Sequence, residues 1–184
     1  MENTIKKIVI IGPESTGKST LCNQLAKHYN SIWCEEFARE YLLRNGKEYS
    51  FDDLAIIAKG QLALEEEYVQ KLSTLNPIPL NPKLFIDTDM YVMKVWCEFV
   101  FQKCHQFILE EIVTRKYDLY LLCNTDLPWV KDELREYPDE NIRKQLFNIY
   151  KDLLINQSTP WVEICGTNEQ RLNQAIKAID TYCS

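Results

Sequence analysis

Apolar residues follow two rhythms along this chain. Short unbroken runs, of which Ile8-Val9-Ile10-Ile11 and Leu119-Tyr120-Leu121-Leu122-Cys123 are the clearest, predict strands at 4–11, 31–34, 83–87, 117–123 and 161–164. A strand covered on both faces has no reason to alternate. Between the runs, apolar residues recur at helical spacing and predict helices over 18–30, 35–43, 51–72, 90–100, 107–114, 141–154 and 171–179. Within 51–72 the stripe is 54, 57/58, 62, 69 and 72, and Glu65-Glu66-Glu67 reads as an exposed acidic run. Asn45-Gly46 breaks one helix, and three prolines between 76 and 82 end another. Strands alternating with helices predict a five-stranded parallel sheet with right-handed crossovers and helices on both faces.

Composition narrows the function classes. At 184 residues, 46% of them hydrophobic and 26% charged, the chain is expected to form one domain over 1–184 with a core of its own. No apolar run approaches a membrane span, and Met1 to Lys7 leads into a strand instead of a signal-peptide core, so a cytoplasmic protein without a membrane partner is expected. A formal charge of −6 argues against a nucleic-acid partner. The seven cysteines form no Cys-x-x-Cys pair and read as reduced, mostly buried thiols. Cys104-His105 lacks third and fourth metal ligands at sensible spacing. Nothing in the pattern specifies an oligomeric state.

The first strand runs directly into Gly12-Pro13-Glu14-Ser15-Thr16-Gly17-Lys18-Ser19-Thr20, which opens the first helix. This is a phosphate-binding loop. Backbone N–H groups must wrap a polyphosphate closely, and Gly12 and Gly17 bracket the turn that brings them there. Lys18 supplies a charge for the β- and γ-phosphates and Ser19 a hydroxyl for Mg²⁺, so the expected cofactors are ATP and Mg²⁺ and the nucleotide site is 12–20. Asp87, ending an apolar strand, reads as the acidic partner of that metal; the alternative is that Asp87 or Asp89 only caps the next helix.

Further candidates follow from place. Glu36 stands at the tip of the second strand, where open α/β sheets hold ligands, and fits a general base; Glu35 replaces it if the register slips by one. The alternative there is a solvated helix start. Arg39, one turn on, suits an acceptor or phosphate, or else a surface ion pair. Segment 126–136, polar and rich in turn residues, reads as a lid whose Lys131 and Arg135 cover the phosphates and exclude water. Arg143 reads more readily as an exposed helix-face charge. Gly166-Thr167, a strand-to-helix turn, is placed for backbone approach to adenine, whereas Gly46 and Gly60 carry no assigned role. Three function classes remain at this point: a small-molecule kinase, a nucleotide-dependent regulatory ATPase and a degenerate nucleotide scaffold. A GTPase switch is disfavoured, since Asn-Lys-x-Asp and a post-strand Asp-x-x-Gly are missing.

Four blocks then carry a family resemblance: Gly12 to Leu21, Glu36-Phe37-Ala38-Arg39-Glu40-Tyr41, Phe85-Ile86-Asp87-Thr88-Asp89, and Pro128-Trp129-Val130-Lys131-Asp132-Glu133-Leu134-Arg135. Together they resemble the ribosylnicotinamide kinase domain of NadR-type NAD-biosynthesis proteins. The resemblance implies a P-loop NTPase fold of the nucleoside and nucleotide kinase type and transfer of phosphate from ATP to the 5′-hydroxyl of ribosylnicotinamide. It implies Lys18, Glu36, Asp87 and Arg135 as catalytic residues, with Glu36, Arg39, Asp87, Asp89 and Trp129 on the nucleoside substrate. Two departures stand out. The chain has no room for the DNA-binding and adenylyltransferase regions of multifunctional relatives, so a stand-alone kinase is expected. After Asp-Thr-Asp those relatives run on with threonines, but here the helix reads Met90-Tyr91-Val92-Met93-Lys94-Val95-Trp96. Carboxylates at 35, 36, 87 and 89 near Trp33, Phe37 and Trp96 favour a pyridinium cation, and would equally suit a neutral nucleoside, which keeps another nucleoside or nucleotide kinase as the alternative.

Overall fold

A computed structural model describes residues 4–75 and 81–183. The proline loop expected over 76–82 falls outside them as far as Leu80, as do Met1 to Asn3 of the N-terminal reading. In chain order the elements are β1 Lys6–Ile11, α1 Lys18–His28, β2 Ile32–Cys34, α2 Phe37–Asn45, α3 Phe51–Ser73, β3 Lys83–Asp87, α4 Met90–Phe101, α5 Gln106–Thr114, β4 Leu119–Cys123, α6 Glu140–Ile155, β5 Trp161–Ile164 and α7 Asn168–Tyr182. All five expected strands form, in the order β2-β3-β1-β4-β5, and every pairing is parallel. The chain passes across β1 between β3 and β4, so the central strand's C-terminal end lies at the switch in direction where such sheets place their ligands.

Continuous apolar strands require cover on both faces, and they receive it. On one face Ile8, Ile10, Phe85 and Leu121 meet Leu21 and Leu25 of α1 and Ala175 and Ile179 of α7. On the other, Val9, Ile11, Ile86 and Leu122 meet Val92 and Val95 of α4 and Leu146, Tyr150 and Leu154 of α6. A third cluster joins α2, α3, α4 and α5 through Ala38, Leu54, Ile57, Met93 and Ile108. Gly60 acquires its role here, because a Cβ at that position would stand 2.1 Å from the Phe37 ring. Only a glycine lets the start of α2 lie against α3.

Glu65 departs from expectation. Its neighbours Glu66 and Glu67 are exposed, but Glu65 is buried. It accepts bonds from Lys7 Nζ at 2.9 Å, Tyr117 Oη at 2.9 Å and Arg115 Nη1 at 3.2 Å. It sits three residues after Leu62 and seven before Leu72, on the stripe α3 turns inward, and its charge is tolerated because cations and a hydroxyl saturate it. His105 is also settled: its ring stacks on Phe51 at 3.7 Å and its Nε2 meets the Phe51 carbonyl at 2.8 Å. No group of three or more His, Cys, Asp or Glu that could hold a metal occurs among the described residues, and none of their helices is long and apolar enough to cross a membrane.

Candidate active site

The phosphate loop begins where β1 leaves the sheet. At Gly12 the backbone takes φ +139°, and a Cβ there would stand 2.7 Å from the Cys123 carbonyl oxygen of β4. Glycine alone satisfies both demands. Thr16 Oγ1 donates to the Pro13 carbonyl at 2.8 Å, closing the turn, and Lys18 Nζ donates to the same oxygen at 3.0 Å. Gly17 caps α1, whose first turn holds no acidic residue, so its N–H groups and partial positive charge are left for an anion. The loop's far side is held by Arg171, which donates to the carbonyls of Thr16 at 2.8 Å, Asn124 at 2.9 Å and Gly166 at 2.9 Å and pairs with Asp126. Gly166 and Thr167 belong to that bracing turn, with Thr167 capping α7, and they do not line the cavity described below.

Asp87 ends β3 beside the loop and is buried. Ser19 Oγ donates to its Oδ2 at 2.5 Å, while Oδ1 has no partner among the described residues. Burial, with the Glu36 charge adding to it, pushes the Asp87 carboxyl up to about 6, against the opposing pull of Lys18 and Ser19. An orphaned buried carboxylate oxygen next to a phosphate-loop hydroxyl is a donor set that fits a hard divalent cation. Asp89 is the helix cap instead: its Oδ1 accepts from Tyr91 N at 3.0 Å and Val92 N at 3.3 Å, and its Oδ2 from Tyr120 Oη at 2.9 Å. It lies off the cavity lining, which corrects its expected place on the substrate. Capping uses its lone pairs, and burial pushes its carboxyl up to about 7.

A cavity of about 830 Å³ joins the phosphate loop to the start of α2, the flank of α4 and the segment after β4. Glu36 is the N-cap residue of α2 but makes no capping bond with its side chain, which is half-buried and lines this cavity. Glu35 also borders it and is exposed. Sequence reasoning missed what aims this junction: Gln61, buried on α3, accepts from Phe37 N at 2.8 Å and donates to the Glu35 carbonyl at 3.2 Å. Its place on the inward stripe of α3 was the available signal. Trp33, Phe37 and Trp96 line the cavity as expected, joined by Phe99, Tyr137 and Tyr150. Both arginines on the α2 side are engaged with acids, Arg39 with Asp132 through two contacts of 3.1 Å and Arg44 with Glu40.

Residues 124–139 form no regular element and are tied to the phosphate loop at Glu14 and Ser15. Arg135 lines the cavity and donates to the Val130 carbonyl at 2.5 Å. Lys131 is exposed and off the lining, because the segment turns its side chain to solvent. Trp129 faces the phosphate loop and not the substrate side: its indole N–H donates to Glu14 Oε1 at 2.9 Å. Arg143 is no exposed charge; it is buried on α6 and donates to the Ser15 carbonyl at 3.3 Å and the Leu127 carbonyl at 3.4 Å. Glu14 itself accepts from Glu136 N at 2.8 Å and Tyr137 N at 2.7 Å, so this loop residue turns its carboxylate to the covering segment.

With that geometry in hand, comparison with known proteins gives consistent matches. A family model described as an AAA domain matches residues 7–171. The chain is 29% identical over 164 residues to the trifunctional NAD biosynthesis/regulator protein NadR of Escherichia coli strain K12 and 27% identical over 167 residues to that of Salmonella typhimurium strain LT2. In both cases 87% of this chain is covered but only 38% of the relative, so the chain spans well under half of their length. Among solved structures, NadR protein in complex with NR superposes with a TM-score of 0.75 at 24% identity, covering 97% of this chain and 50% of that one. Deoxyadenosine kinase from M. mycoides with bound dATP gives 0.60 at 9% identity, covering 95% and 99%. The fold is that of the P-loop nucleoside kinases.

Proposed function

The chain belongs to the AAA domain family, and from that premise we propose that it is an ATP-dependent kinase phosphorylating the 5′-hydroxyl of ribosylnicotinamide, giving nicotinamide mononucleotide and ADP. One observation carries the choice of acceptor. The cavity that opens from the phosphate loop is walled by aromatic rings and by the carboxylates of Glu35, Glu36 and Asp87, while Arg39 and Arg44 on its lining are paired with Asp132 and Glu40. Such a wall favours a cationic or neutral nucleoside over a nucleotide, whose own phosphate would have to draw an arginine away from its carboxylate. The NadR relatives, and the NadR protein solved in complex with NR, support the pyridinium nucleoside within that class.

In this reading the loop 12–20 wraps the ATP phosphates, with Lys18 charging the β/γ oxygens and the Gly166-Thr167 backbone next to adenine. Ser19 and Asp87 would hold Mg²⁺, which when bound neutralises phosphate charge. Glu36 takes the proton of the 5′-hydroxyl while the bond from that oxygen to the γ-phosphorus forms and the bond to the bridging oxygen breaks, releasing ADP. Arg135 meets the charge shifting between donor and acceptor, Arg39 holds the acceptor side, and the lid over 126–136 keeps water from competing.

The test is phosphorylation of a nucleoside panel by the purified protein. Ribosylnicotinamide should be the preferred acceptor, and Glu36→Gln should lower its turnover by about 10²–10⁴-fold with little change in acceptor KM, the span of a lost general base. Preference for uridine, cytidine, thymidine or deoxyadenosine would replace the acceptor. ATP turnover indifferent to every nucleoside would replace the kinase with a regulatory ATPase.

A further inference from the structure

A glutamate inside a phosphate-binding loop is an odd neighbour for a polyphosphate, since its charge repels the ligand the loop is built to hold. The structure resolves the oddity by engaging the Glu14 carboxylate with the covering segment. Its Oε1 accepts from Trp129 Nε1 at 2.9 Å and Tyr137 N at 2.7 Å, and its Oε2 accepts from Glu136 N at 2.8 Å. A carboxylate offers only acceptors, and here three N–H donors from the covering segment engage them. The next residue adds a fourth tie, Val130 N donating to Ser15 Oγ at 2.9 Å.

These ties bracket Arg135. Glu136 and Tyr137 follow it directly in the chain, and Val130, whose carbonyl accepts from Arg135 Nη1 at 2.5 Å, is fixed by Ser15. The guanidinium is therefore located relative to the phosphate loop through its chain neighbours on both sides. A second branch reaches the acceptor wall: Tyr49 Oη donates to Glu136 Oε2 at 3.0 Å and accepts from Trp96 Nε1 at 2.8 Å, and Trp96 lines the cavity. We propose that Glu14 is a positioning residue that latches the lid onto the phosphate loop and thereby sets Arg135 at the transferring phosphate and excludes water. The inference rests on the kinase reading given above.

Glu14→Gln keeps the length of the side chain but presents an NH₂ to a backbone N–H. The rate of acceptor phosphorylation should fall about 10–100-fold, the loss that a displacement near 1 Å brings, with KM for ATP within about threefold. Because the lid no longer seals, ATP hydrolysed per nucleotide formed should rise. If Glu14 acts through Arg135, then adding Glu14→Gln to Arg135→Ala should cost less than about threefold more, since residues that act as a unit are not additive. An equal cost in both backgrounds, or unchanged rate and coupling in Glu14→Gln, overturns the proposal.

A second arm needs no acceptor. With a non-hydrolysable ATP analogue bound, the amides of residues 130, 136 and 137 should exchange with solvent about tenfold faster in Glu14→Gln than in the unaltered protein, as expected for loss of a charge-assisted hydrogen bond. Trp129→Phe should fall between them, and β1 amides should be unchanged in all three. Equal protection at 136 and 137 overturns the latch even if the kinase reading stands. A protein that phosphorylates no nucleoside ends the kinase reading, and the exchange arm then decides the latch alone.

Discussion

The two sides of the cavity are held by different forces. On the phosphate side the contacts are short in reach and mostly buried: Gly12 against the Cys123 carbonyl, Thr16 on Pro13, Ser19 on Asp87, Arg171 across three carbonyls. On the acceptor side they are long side chains from α2, the turn after it and the segment after β4 meeting near solvent, such as Arg39 with Asp132 and Lys47 with Glu133 at 3.9 Å. Buried backbone-centred contacts fix a geometry before a ligand arrives, whereas exposed ion pairs are worth little and exchange partners readily. On the proposed kinase reading, a site divided in this way would bind its donor on a preformed cradle and complete itself on the acceptor side by closure.

The largest effect that tests this division is Lys18→Ala. Its ammonium rests on the Pro13 carbonyl, already at the loop, so its loss removes a preorganised charge without disturbing the core. Turnover should fall about 10²–10³-fold, or about 3–4 kcal/mol of transition-state stabilisation. Thermal unfolding should shift by less than about 0.5 kcal/mol, as for a change outside the core. Steady-state ATP consumption with the preferred acceptor measures it, and a fall smaller than tenfold would mean that the phosphate side is not the preformed half.

The same division governs what could be read from the chain. Gly12, Lys18, Ser19 and Asp87 could be placed together from the chain because each stands at a strand end or a helix start that local pattern reveals. Charge alone points Arg143 and Glu65 to solvent, although both keep the helical spacing of buried neighbours: Arg143 with Leu146, Phe147, Tyr150 and Leu154, Glu65 with Leu62 and Leu72. A stripe position outranks the polarity of its side chain when partners are available to satisfy it. Asp89 and Asp87 could not be told apart, since either carboxylate can cap α4 and only the assembled sheet shows which one does. Trp129 with Glu14 had no signal at all. They are 115 positions apart, and their pairing exists only once the segment after β4 has folded back over the loop.

Asp87→Asn sharpens the comparison from the metal side. Asparagine retains an acceptor for Ser19 but not the charge, so the Mg²⁺ concentration for half-maximal activity should rise at least about tenfold, the cost of one weakened ligand contact. In chelator the effect on stability has the opposite sign. The folded carboxyl is raised to about 6, chiefly by burial, so the wild-type protein loses stability as pH rises from the unfolded carboxyl's usual range through that value. Asp87→Asn should be no more stable than wild type below about pH 4 and up to about 3 kcal/mol more stable above pH 7, by thermal or urea unfolding in EDTA. A variant less stable at pH 7 would show that the carboxylate serves the fold and not a ligand.

The smallest effect lies at Arg39 and Asp132. The Arg39 side chain is half exposed, so the pair should couple by only about 0.2–1 kcal/mol in a double-mutant cycle on unfolding. That coupling should vanish in 1 M salt, where screening acts within about 3 Å. Asp132→Asn keeps an acceptor for Leu134 N, now 3.1 Å from Oδ1, so the local turn should survive. The kinetic consequence separates two duties. If Arg39 serves the acceptor, it must leave Asp132 to do so, and releasing it in advance with Asp132→Asn should lower acceptor KM slightly. Arg39→Ala should raise that KM in either background, because the group that contacts the acceptor is gone. If both variants instead raise acceptor KM equally and the double variant adds nothing, Arg39 is a clasp for the lid and the acceptor is held by the aromatic wall and Glu36 alone.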